Sequence, residues 1–131
     1  MEAKDLMIGD WVRNDFNEVQ QVVEIREGSV MLAYNDMYNY DEITPVPLTP
    51  EILEKNGFKK GQFCYTFKER LCGYMGQTTS STTPIEIDYY EEGHCVIMNP
   101  HIGREYQGSI SFVHELQHAI RLCGIDKEIV I

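Results

Sequence analysis

From Trp11 to Pro47 the apolar positions come in short, β-branched runs separated by turn residues, which is the pattern of strands. Gly9-Asp10 opens a strand through Trp11, Val12 and Arg13, and Asn14-Asp15-Phe16-Asn17 is rich in turn formers. Val19 to Ile25 and Ser29 to Tyr34 predict two strands joined across Arg26-Glu27-Gly28 as a hairpin. Glu42 to Pro47 fits a further strand, which Pro45 and Pro47 restrict to an edge or a strand end. Four short strands linked by tight turns predict a small, SH3-like, strongly bent sheet or partial barrel. Trp11, the only tryptophan, is expected in its core, with ligand stacking as the alternative role.

The pattern then changes. In Leu48 to Phe58, Thr49 suits an N-cap, Pro50 the first helical position and Gly57 the position just past the end, which predicts a short connecting helix. Three more strand candidates follow: Gln62 to Lys68, Pro84 to Tyr90 and His94 to Met98. Phe63, Tyr65 and Phe67 alternate onto one face, as do Ile85, Ile87 and Tyr89, the mark of a half-buried antiparallel sheet. Gly76 to Thr83 reads as a polar linker without a phosphate-loop or nucleophile-elbow frame, and Asn99 to Gly108 as a second loop. The expected fold class is therefore α+β: an N-terminal SH3-like bent sheet, a connecting helix, and a second antiparallel sheet packed by a C-terminal helix. Residues 1–131 form one domain in this reading, with 1–48 and 58–131 as possible sub-lobes.

The C-terminal helix is the clearest element. Between Ile110 and Ile125, residues Phe112, Val113, Leu116, Ala119, Ile120 and Cys123 fall on one stripe at helical spacing. Ser111 suits its N-cap, and Gly124 suits the residue past its end, with Ile125 folding back on the last turn. This helix also holds the one catalytic pattern in the chain, His114-Glu115-x-x-His118. Two imidazoles one turn apart can share a zinc ion, and the Glu between them can act as general base on a metal-bound water. On the helical wheel, however, both histidines lie roughly 160° from the centre of the apolar stripe, which predicts that they face solvent.

A zinc site needs a third ligand. In the longer zincin pattern a third His follows six residues after the second; here Gly124 stands at that position and Arg121 at that of the Gly between them. Asp126 and Glu128 lie just past the helix, while His94, Cys95 and His101 would reverse the usual order. Under the metallopeptidase alternative His114 and His118 are ligands and Glu115 is the base. The leading expectation is two solvated histidines on a docking helix, with no catalytic residue and no cofactor.

Composition changes the picture in one respect. Twenty-one acidic residues against 11 basic ones give a formal net charge of −10. Such a surface repels phosphate backbones, which argues against general nucleic-acid binding and suits a basic protein partner. A weaker reading from the same charge is an acidic decoy for a DNA-binding protein. The four cysteines form no CxxC pair or dense framework and read as reduced thiols of a cytoplasmic protein. No apolar run has membrane-spanning length and MEAKDLMIGD lacks the features of a signal peptide. Two segments mix tyrosines with acids, Tyr34 to Glu42 and Tyr89 to Glu92; both are candidate partner surfaces, with rings that cover sheet edges and acids that keep the turns soluble as the equal alternative.

Three segments carry a family resemblance: IGDWV near the start, YDEITPVPLTPEILEKNGF in the middle and FVHELQHAIRLCGI at the end. With these the chain resembles a group of uncharacterised small proteins from gut bacteria and their phages and other mobile elements. In that group the final helix commonly has Gln after the first His and Asn in place of the second, so this chain departs from it at Glu115 and His118. The resemblance implies that the His-Glu-x-x-His match arose on a helix without a zinc role. It implies no mechanism. The function expected from the whole is a non-enzymatic cytoplasmic accessory protein acting through protein contacts, with a zinc-dependent hydrolase as the alternative.

Overall fold

A computed structural model describes residues 1–69 and 84–131. The chain is α+β, and its described residues form two five-stranded antiparallel sheets and two α-helices. Two compact units are distinguished: residues 1–48, 111–118 and 131 form unit 1, and residues 49–110 and 119–130 form unit 2.

Unit 1 holds β1 (Trp11–Arg13), β2 (Val19–Ile25), β3 (Val30–Leu32), β4 (Met37–Tyr38) and β5 (Thr44–Pro45), in the order β4-β3-β2-β1-β5. The β1–β2 turn is built by Asn14, whose Oδ1 accepts from the Phe16 and Glu18 N–H groups at 3.0 and 2.8 Å. Asn17 in that turn has φ +65°, a conformation Asn tolerates better than most residues. Leu6, Val12, Val22, Val30, Leu32, Tyr38 and Ile43 make one buried cluster. Trp11 is not part of it. Side chains alternate across a strand, and once fully buried Val12 faces inward its neighbour Trp11 lies on the other face, half-buried beside Gln21. Proline behaves as expected: Pro45 lies in β5, an edge strand. The strand expected to run to Tyr34 stops at Leu32, where the Asn35 N–H closes a turn on the Leu32 carbonyl. The tyrosine-rich stretch beyond it is partly structured, as β4 and a 3-10 turn over Tyr40–Glu42. The chain just after β5 meets the segment leading into the last helix: Leu48 N–H donates to Ser111 O at 3.0 Å and Val113 N–H to Val46 O at 2.8 Å.

Unit 2 opens with α1 (Pro50–Lys55), capped by the Thr49 hydroxyl accepting from Ile52 N–H. Gly57 ends it at φ +88°, with the Phe58 N–H returning to Leu53 O at 3.0 Å, the Schellman pattern. The second sheet has the order β10-β9-β8-β7-β6, from β6 (Lys59–Lys60), β7 (Cys64–Glu69), β8 (Ile85–Tyr90), β9 (His94–Asn99) and β10 (Arg104–Ser109). Ile85, Ile87 and Tyr89 are buried on one face as their alternation predicts, together with Tyr65, Cys95 and Ile97. Strand β10 corrects the expectation of a loop over Asn99 to Gly108. It pairs along its full length with β9, yet its polar side chains carry no alternation to reveal it, because an edge strand held through its backbone needs no apolar face. Phe63 precedes β7 and is 76% exposed, so only Tyr65 and Phe67 of the expected aromatic row lie on the strand. The Ser/Thr-rich residues 76–83 fall outside the described residues.

Helix α2 runs over Val113–Leu122; residues 113–118 belong to unit 1 and 119–122 to unit 2. It ends as the sequence predicts, at Gly124 with φ +72°, and the Ile125 N–H returns to Ile120 O at 3.1 Å. Among the described residues no helix is long and apolar enough to cross a membrane.

Candidate functional site

The first half of α2 carries His114, Glu115, Gln117 and His118, and the structure places all four differently from a solvated polar face. His114 and Gln117 are buried, 7% and 6% exposed, and the His118 side chain is 29% exposed. The expectation that the two histidines point into solvent is therefore overturned. The apolar stripe fixed which side of the helix is most hydrophobic. It did not show that the stretch around Gly9 to Trp11 in the same unit supplies polar partners for the other side.

Those partners are specific. The Trp11 N–H donates to Gln117 Oε1 at 3.0 Å, and Gln117 Nε2 donates to Gly9 O at 2.9 Å. One amide side chain thus occupies both a donor and an acceptor of the backbone entering β1, as a buried Gln must to offset its desolvation. Next to it, Asp10 is fully buried, and its Oδ2 accepts from the Met7 N–H at 2.7 Å and meets His118 Nε2 at 2.6 Å. A buried carboxylate is tolerable when donors surround it in this way.

Glu115 is also engaged. Its Oε1 accepts from the N–H groups of Ser111 and Phe112, at 2.9 and 3.0 Å. Since the first helical residue is Val113, Phe112 takes the N-cap position and Glu115 the third helical one. Glu115 therefore plays the Glu half of a capping box, and Ser111 lies one residue too early to serve as the expected N-cap. The carboxylate proposed as a general base is held on the helix's own free N–H groups, where it also favours the positive end of the dipole.

His114 lies between the rings of Phe112, stacked at 6.0 Å, and His118, edge-on at 5.5 Å. Its Nδ1 is buried without a hydrogen-bond partner. Burial pushes its pKa down, against the attraction of Asp10, with His118 adding to the fall and Glu115 and Asp5 opposing it. The imidazole is accordingly favoured in its neutral form.

An open depression of about 460 Å³ borders this segment, lined by Met1, Lys4, Asp5, Pro45, Phe112, His114, Glu115 and His118. Chemically it offers an imidazole oriented by a buried carboxylate, the arrangement that serves a general base. Among the described residues its lining has no Ser, Thr or Cys to act as a nucleophile beside that base. For zinc the donor set does not assemble: among the described residues no group of three or more His, Cys, Asp or Glu is placed to hold a metal ion. His118 has turned Nε2 to Asp10. Asp10 is the residue that sequence reasoning missed. Its only signal was a charged residue directly before a strand whose core position is Val12.

Comparison of the chain with protein-family models, curated proteins and solved structures gives no match.

Proposed function

We propose that this chain is a non-enzymatic accessory protein of the cytoplasm that acts through protein–protein contacts. One observation carries the reading: three polar side chains of the His-Glu-x-x-His segment are engaged by the fold, and among the described residues no third metal ligand joins its histidines. Glu115 is spent on the helix start and His118 on Asp10, while Gln117 between them is spent on Gly9 and Trp11. The segment then serves as a clasp that fixes the helix within unit 1. Large apolar side chains left exposed, among them Phe63, Phe16 and Tyr34 at 76%, 73% and 71%, supply contact surface of the kind partners bury.

Two finer readings belong to the same proposal. The order β4-β3-β2-β1-β5, with a 3-10 turn before β5 and β5 returning beside β1, supports an SH3-like description of unit 1. The resemblance to small proteins of gut bacteria and their phages supports a phage or mobile-element setting. The test is metal content by elemental mass spectrometry on untagged protein purified without chelator. The expected result is no stoichiometric zinc and unchanged melting after zinc addition. Near-stoichiometric zinc that is lost on His114→Ala would overturn the proposal in favour of the hydrolase, with Glu115→Gln as the control in peptidase assays.

A further inference from the structure

The tip of the second sheet presents an open depression of about 500 Å³ lined by Gln62, Phe63, Tyr90, Glu91 and Glu92. Both of its walls are braced. On one side the Gly61 N–H donates to Cys64 O at 2.7 Å, which holds the turn bearing Phe63. On the other, the Gly93 N–H donates to Tyr90 O at 2.8 Å, with Gly93 at φ +91°, closing the β8–β9 turn that carries Glu91 and Glu92. Cys64 and Tyr90 are direct partners in the β7–β8 ladder, which ties the two turns together. Phe63 at 76% exposed leaves its ring face open on this braced turn.

The depression is negative as well as aromatic. Among the described residues no lining residue is basic. Glu86 and Asp88 share the strand face of Tyr90, and the Tyr90 phenol is held above its ordinary range by the Cys64 thiol, then by burial, then by Asp88, Glu86 and Glu92. On that face Lys68 is spent on Glu86 at 3.8 Å, and Lys59 stands opposite Thr66 two strands away. The same unit already shows how this chemistry holds a cation, with the Lys127 ammonium 4.3 Å from the centre of the Phe67 ring.

We propose that the Phe63–Tyr90 depression receives a lysine or arginine side chain from a basic segment of a partner protein. The alkyl stem lies on Phe63, and the cationic head lies between the Tyr90 ring and the Glu91 and Glu92 carboxylates. The net charge of −10 favours such a partner and opposes a second copy of this chain. The inference rests on the protein-contact reading above and names the chemistry of that contact.

The test is fluorescence anisotropy of a labelled peptide of alternating lysine and alanine, titrated with the full chain in ~50 mM salt. The variants are Phe63→Ser and the pair Glu91→Gln/Glu92→Gln. A control pair, Glu51→Gln/Glu54→Gln, removes the same charge from exposed positions on α1. The expected result is binding by the parent chain, weakened about three- to ten-fold by each of the first two variants and less than about two-fold by the control. Absence of binding overturns the proposal, and so does equal weakening by the control, which would mean diffuse attraction to an acidic surface. Either failure in zinc-free protein leaves the accessory-protein reading standing, whereas stoichiometric zinc removes that reading whatever the peptide does.

Discussion

Gln117→Ala tests whether the helix clasp stabilises unit 1 as the geometry indicates. The buried amide makes two bonds, accepting from the Trp11 N–H at 3.0 Å and donating to Gly9 O at 2.9 Å. Gly9 O keeps a second donor, Gln21 Nε2 at 3.1 Å, and Trp11 is half-buried, so each loss is one net hydrogen bond of about 1 kcal/mol. The sum is about 2 kcal/mol, or a fall in Tm of roughly 8 °C for a chain of this size. Urea unfolding followed by far-UV circular dichroism measures the loss. Trp11, the only tryptophan, reports locally through its emission, which is expected to shift to the red. Gln117→Glu should do no better, since it keeps the acceptor but sets a carboxylate oxygen against Gly9 O. A loss below about 0.5 kcal/mol with unchanged emission would refute the clasp.

Three further outcomes follow from the same contacts. Gly124→Ala and Gly57→Ala should each destabilise by about 1–2 kcal/mol, since φ is +72° and +88° and the one close approach, 2.6 Å to Ile102 Cδ1, is to the end of an exposed side chain that can turn away; a loss below about 0.5 kcal/mol at either in urea unfolding would refute the left-handed stop. The His114 pKa is lowered in the fold, so the unfolded chain binds the proton more tightly; stability should be full above the ordinary histidine value of about 6.5 and fall as pH drops below it, until the lowered folded pKa is passed. Urea midpoints from about pH 7.5 to 5 measure that fall, which His114→Gln should flatten. Burial pushes the Cys95 thiol up to about 12 and raises Cys123 as well, so alkylation mapped by peptide mass should label half-buried Cys64 in the native protein and reach Cys95 and Cys123 only on unfolding.

The sequence by itself determined what depends on neighbours along the chain. Thr49, Pro50 and Gly57 bounded α1, and Gly124 with Ile125 ended α2, because caps and left-handed stops are local backbone chemistry. The span of β2 was legible from its β-branched run, and the buried face of β8 because a period of two survives in Ile85, Ile87 and Tyr89. Strand β10 was not legible, since its pairing is through the backbone and its side chains are polar on both faces. Which of Trp11 and Val12 faces inward was likewise set by the register of β1 against β2 and β5.

Tertiary structure alone decided where the side chains of His114-Glu115-x-x-His118 stand. Spacing put two imidazoles and a carboxylate on one stretch of helix, and that is as far as spacing reaches. The outcome depended on Asp10, 108 positions from His118 in the chain, arriving with its carboxylate 2.6 Å from Nε2. It depended equally on the helix beginning at Val113 rather than a residue earlier, which turned Glu115 into a cap. A hydrogen bond formed between distant segments leaves no periodicity in either of them, so only the folded chain could show that Glu115 and His118 already have partners.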